Sequence, residues 1–238
     1  MQSPEASDSS RINTISGLSG RRATLAYTAP FVAFIGSIGL EQLIRLPPSI
    51  AYPLRFSLAL LALLVFSRPV ISLKSFSAWY SVAIGIAVFV IWISPDVLFG
   101  YRRHWLFANA FTGSAVSSLP DALKHNPAFL ALRALSSTAL VPIIEELFWR
   151  GWLMRWLIHK DFRKAPLGAY QGSAFWIAAA LFASEHGPYW EVGLAAGIIY
   201  NWWMVRTKSL GDCILAHAVT NGILAVYVVA TAHWEYWL

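Results

Sequence analysis

Pro142-Ile-Ile-Glu145-Glu146-Leu-Phe-Trp-Arg150-Gly151 sets two carboxylates and a guanidinium inside one of the most apolar parts of the chain. At the centre of a membrane helix each such charge costs about 2.5–3.5 kcal/mol by insertion scales, and it persists where it is paired or used. The surrounding residues read as one helix from about Pro127 to His159, with a kink expected at Pro142, whose ring removes a backbone donor. At about 1.5 Å per residue this helix outruns a hydrocarbon core of about 30 Å, so one end must protrude or bend.

Outward from that stretch, 57% of the 238 residues are hydrophobic and only 13% are charged. A soluble domain carries about 25% charged residues, which places this chain among polytopic membrane proteins. Further apolar runs lie at about Ala23–Ile44, Pro53–Ile71, Phe76–Ser94, Tyr170–Ser184, Tyr189–Val205 and Cys213–Ala232. The fold class expected is an all-α polytopic membrane protein of about seven to eight transmembrane helices, with the active site inside the bundle. Residues 1–22 form a polar tail expected in the cytoplasm, and 23–238 a single membrane-embedded domain. The mixed stretch Gly100–Asn126, with Arg102, Arg103, His104, Asp121 and Lys124, is too polar to span and is expected along the interface. The net charge of +6 comes from loop Lys and Arg, whose distribution favours a cytoplasmic N-terminus; no basic soluble patch calls for nucleic acid. Trp79, Trp92, Trp105, Trp190, Trp234 and Trp237 fall near expected helix ends, as an aromatic belt does. A single cysteine, Cys213, excludes an intramolecular disulfide framework.

Glu146 and Arg150 stand four residues apart, acid first, the order in which the pair meets along a helix face. Glu145 is rotated about 100° from Glu146 and is free to face another helix. Two later helices offer matching polar faces: Phe182 with His186, and His217 with Asn221, each pair four residues apart. Singly, each residue reads as interhelical glue. Together, a carboxylate, two imidazoles and an amide suffice to activate water and to stabilise an oxyanion.

Glu-Glu-x-x-x-Arg, Phe-x-x-x-His and His-x-x-x-Asn, in that order on successive membrane helices over residues 127–230, resemble the CPBP intramembrane proteases. These include type II CAAX prenyl endopeptidases and bacterial Abi-type proteins, and the basic tail is similar to the branch associated with bacterial exosortase systems. The resemblance implies an intramembrane endopeptidase in which Glu145 activates water with His186, while His217 and Asn221 hold the oxyanion. Glu146, Arg150 and Phe182 are then supporting residues. A zinc variant would use His186, His217 and Glu145 as ligands, although no His-Glu-x-x-His segment exists. The implied partners are the lipid bilayer and a membrane-associated peptide or protein, prenylated or bearing a sorting-signal tail. The implied location is a bacterial inner membrane. Glu185, where the family more often has a small or apolar residue, reads as a solvated turn residue before Gly187-Pro188. The rival readings are a non-catalytic scaffold or immunity-type protein, and a small proton-coupled transporter.

Overall fold

The computed structural model describes residues 18–237; most of the polar tail expected at 1–22 lies outside them. Among the described residues there is no β-strand, and seven long helices carry the fold. They are α1 Gly20–Ile44, α2 Pro48–Ser67, α3 Ala78–Phe99, α4 Pro127–Ile158, α5 Gly172–Ser184, α6 Trp190–Thr207 and α7 Leu210–Thr231. By length and composition α1, α2, α3, α4 and α7 can each cross a membrane, and the chain is an all-α integral membrane protein. With 13 residues, α5 reaches only about 20 Å.

α4 runs through the middle of the bundle, between the α1–α2 hairpin, the α3–α7 pair and α5. Asn126 starts it by accepting from the Phe129 N–H at 3.1 Å, with Pro127 at the first helical position where a missing donor costs nothing. The expected disturbance at Pro142 takes the form of a wide turn. Pro142 cannot pair with the carbonyl four residues back, and residues 136–140 adopt π-helical geometry, with the Val141 N–H bonded to the Ser136 carbonyl. A second π segment covers 147–153, so the single α-turn that bears Glu145 and Glu146 is bracketed by two wide ones.

α3 and α7 run side by side in the same direction. Ser81 meets Asp212, the Gly85 carbonyl accepts from Thr220, and Phe89 packs on Tyr227. A Cβ at Gly85 would lie 2.4 Å from the Ala216 carbonyl oxygen, so this crossing depends on the glycine. Asp212 closes the lower end of the pair. Its carboxylate accepts from Ser75 Oγ at 2.5 Å, the Ser77 N–H at 2.8 Å, Ser81 Oγ at 3.0 Å and the Phe76 N–H at 3.2 Å, which caps the start of α3.

Several expectations need correction. α2 starts at Pro48 rather than Pro53, because Pro48 takes the first helical position. α3 continues through Pro95 to Phe99. Trp92 and Trp237 are not belt residues: Trp92 packs edge-on against His186, and Trp237 is buried. Arg102, Arg133 and Arg155 are likewise not loop charges. Arg155 turns inward and donates to the Ala165 carbonyl at 2.7 Å and the Gly151 carbonyl at 3.0 Å. Each of these side chains finds a partner inside the bundle that hydropathy alone does not reveal.

Candidate functional site

The site grows from the narrow turn of α4. Glu146 and Arg150 are completely buried, and Arg150 Nη1 donates to Glu146 Oε1 at 3.0 Å. The guanidinium then spends its other donors on α6: Nε to Asn201 Oδ1 at 2.9 Å and Nη2 to the Gly197 carbonyl at 3.3 Å. It also lies 4.6 Å from the centre of the Phe182 ring. Asn201 passes the connection on, donating to the Phe175 carbonyl of α5 at 2.8 Å. One guanidinium thereby fixes α4 to α5 and α6.

Glu146 serves two partners with one oxygen, for His217 Nδ1 sits 2.9 Å from the same Oε1. A carboxylate oxygen accepts, so Nδ1 of the imidazole carries a proton. Nε2 faces Glu145 Oε2 at 4.0 Å. Tyr200 stacks on the other side of His217, with centroids 5.1 Å apart, and its hydroxyl is held by Thr220 at 2.7 Å. Glu145 itself is buried, and its Oε2 has no hydrogen-bond partner among the described residues.

His186 follows the end of α5. Its Nδ1 is 2.7 Å from the Phe182 carbonyl, which only accepts, so here too Nδ1 carries a proton. There its ring packs edge-on against Trp92 of α3, with centroids 5.2 Å apart. The Phe182 ring touches both imidazoles, with centroids 4.7 Å from His186 and 6.1 Å from His217. The 100–126 stretch packs on the turn between α5 and α6. Arg102 donates to the Pro188 carbonyl at 2.7 Å and pairs with Glu191. Gly187, at φ +53°, lies so near the Thr112 carbonyl that a Cβ would stand 2.8 Å from its oxygen.

Residues 127–223 match the family model described as Type II CAAX prenyl endopeptidase Rce1-like. This segment is similar to CAAX-protease domains. It runs from the first turn of α4 to the middle of α7 and contains every candidate residue named above. No curated protein and no solved structure matches the chain.

Within the matched segment the polar residues expected to cooperate are disposed unevenly. Glu145, Glu146, Arg150 and His217 form one cluster, with Phe182 as its wall. Asn221 donates to the Ser137 carbonyl of α4 at 2.9 Å, leaving one amide hydrogen for another acceptor. His186 joins the cluster through Phe182 and not by a direct hydrogen bond to Glu145. The suggested zinc ligands do not assemble: no three His, Cys, Asp or Glu side chains among the described residues converge as a metal site. Glu185 is not a bare turn residue, because its carboxylate accepts from Trp149 Nε1 of α4 at 3.0 Å. Asn201, Tyr200 and Thr220 escaped the sequence reading. Asn201, a polar residue in the middle of an apolar helix, was the available signal.

Proposed function

We propose that the chain is an intramembrane endopeptidase in which Glu145 is the base that activates water. The observation that carries this reading is the buried, unbonded Glu145 Oε2 standing 4.0 Å from His217 Nε2, while Glu146 holds the opposite nitrogen of that ring. A water within about 2.8 Å of both atoms subtends an angle of about 90° at its oxygen, close to what its two donors need. Glu145 takes a proton as the water attacks the peptide carbonyl, and returns it to the leaving amine. The lone pair on His186 Nε2 orients the substrate or the water from the α5 side.

The free Asn221 amide hydrogen supports the developing oxyanion, a contribution of roughly 3–4 kcal/mol for one such donor in other proteases. With one proton His217 offers a lone pair; with two it offers an N–H. Only the second form donates to an oxyanion, and Glu146 and Glu145 flank the ring to hold that charge. The substrate is a membrane-associated peptide or protein, prenylated or ending in a sorting-signal tail. The location that fits is a bacterial inner membrane with the N-terminus in the cytoplasm.

The test is cleavage of a membrane-associated peptide by the full chain in proteoliposomes. Glu145→Gln and His186→Ala are each expected to lower the rate at least ~100-fold while leaving insertion and thermal unfolding unchanged. Near-normal cleavage by Glu145→Gln removes the base. Failure of both variants to accumulate favours a scaffold, and pH changes inside peptide-free vesicles favour a transporter.

A further inference from the structure

A cavity of about 300 Å3 opens where α1 turns into α2, lined by Glu41, Arg45, Tyr52, Arg55, Ser118 and Trp237 among others. That size is at the lower end for ligand sites, about 300–1,000 Å3, and suits a headgroup better than a whole lipid. Both α1 and α2 can cross a membrane, so the turn joining them lies at the headgroup layer of one leaflet. Tyr52 packs edge-on against Phe129 in the first turn of α4, about 24 Å along that helix from Glu145. Binding here is therefore separable from the reaction proposed above.

The walls of the cavity are charged and held in place. Glu41 accepts from Arg55 Nε at 3.2 Å and also from its Nη2. The same guanidinium lies 4.8 Å from the centre of the Tyr52 ring, and Arg133 lies 4.3 Å from that centre. Arg55 thus uses two of its five donors on Glu41 and keeps three for a ligand. Arg45 is exposed and forms no ion pair among the described residues. In the lining, two guanidiniums stand against one carboxylate, an excess of one positive charge. α2 begins at Pro48 without a side-chain cap, and the positive end of its dipole adds to that excess.

The complement is an oxyanion with a single negative charge. A phosphodiester carries one, whereas a phosphate monoester carries about 1.5–2. Guanidiniums match phosphate oxygens in geometry as well as in charge. Leu43, Ile44 and Ile50 on the same hairpin are exposed and give acyl chains an apolar surface, which a soluble phosphate does not need. We infer that this cavity binds the phosphodiester headgroup of an anionic phospholipid, with Arg45 and Arg55 donating to the phosphate oxygens.

The experiment is native mass spectrometry of the full chain in detergent, with thermal unfolding as a second readout. Three probes are added: phosphatidylglycerol, diacylglycerol with the same acyl chains, and glycerophosphoglycerol, the headgroup without tails. Phosphatidylglycerol is expected to bind at least ~10-fold more tightly than either of the others and to raise the unfolding midpoint. Arg45→Gln strands no partner, and it is expected to lower phosphatidylglycerol binding at least ~10-fold while leaving diacylglycerol binding unchanged. The double variant Glu41→Gln with Arg55→Gln, which removes the ion pair as a unit, is expected to weaken phosphatidylglycerol in the same way. Equal binding of phosphatidylglycerol and diacylglycerol overturns the inference, as does a phosphatidylglycerol preference that survives Arg45→Gln. Glycerophosphoglycerol binding as tightly as the lipid also overturns it, and assigns the cavity to a soluble phosphodiester. If the double variant does not fold, Arg45→Gln decides alone.

Discussion

Glu146 and Arg150 can be read as a structural staple or as the support of His217, and a pair of substitutions separates the two. Arg150→Met leaves the Glu146 carboxylate at zero exposure without its guanidinium. Stranding one partner of a buried ion pair costs about 3–5 kcal/mol. The further change Glu146→Leu removes the stranded charge but leaves the His217 Nδ1 donor, now 2.9 Å from no oxygen, unpaired. An unmet buried neutral donor costs about 1–3 kcal/mol, so the double variant is expected to be more stable than the single by about 2 kcal/mol. The loss of the Arg150–Asn201 bond is common to both and cancels. For a chain of this size about 2 kcal/mol moves the unfolding midpoint by about 4–8 °C, which thermal unfolding in detergent resolves. Peptide cleavage is expected to behave oppositely: the double variant regains stability but stays at least ~100-fold slow, because nothing orients the imidazole. A double variant that cleaves at near wild-type rate refutes the supporting role of Glu146. One that is no more stable than Arg150→Met refutes the mutual neutralisation.

Gly85→Ala places a Cβ 2.4 Å from the Ala216 carbonyl oxygen and 2.7 Å from the Val219 Cβ, so α3 and α7 must separate; a loss of about 1–3 kcal/mol or more is expected in thermal unfolding. Asp212→Ala deprives Ser75, Phe76, Ser77 and Ser81 of their common acceptor. It should lower stability by about 2–4 kcal/mol yet leave the cleavage rate near normal at low temperature; abolished cleavage by a folded Asp212→Ala protein would mark the carboxylate as a reactant instead of a cap. Treatment of the purified chain with a strong chelator is expected to leave cleavage unchanged, and loss of activity with recovery by zinc alone would overturn the metal-free reading.

The helices were legible because each is a long apolar run, and the charged turn of α4 because charge at that depth demands a partner. The pairings Glu146–Arg150 and Phe182–His186 follow from helical spacing alone, and both occur. What spacing cannot supply is height. The sequence marks α5 as short, a partial or tilted span, with His186 near its outer end, His217 near the inner end of α7, and Glu185 as a solvated turn residue. The helix is short, 13 residues, and its turn into α6 meets the 100–126 stretch, tied by Arg102 on the Pro188 carbonyl. In this turn His186 packs on Phe182 and Trp92, and Glu185 accepts from Trp149. The same residues that look like a loop at the membrane surface thus become the upper wall of the candidate site. The Arg102 clamp, which lies outside the matched Rce1-like segment and touches no candidate reactant, thus holds the turn that follows His186.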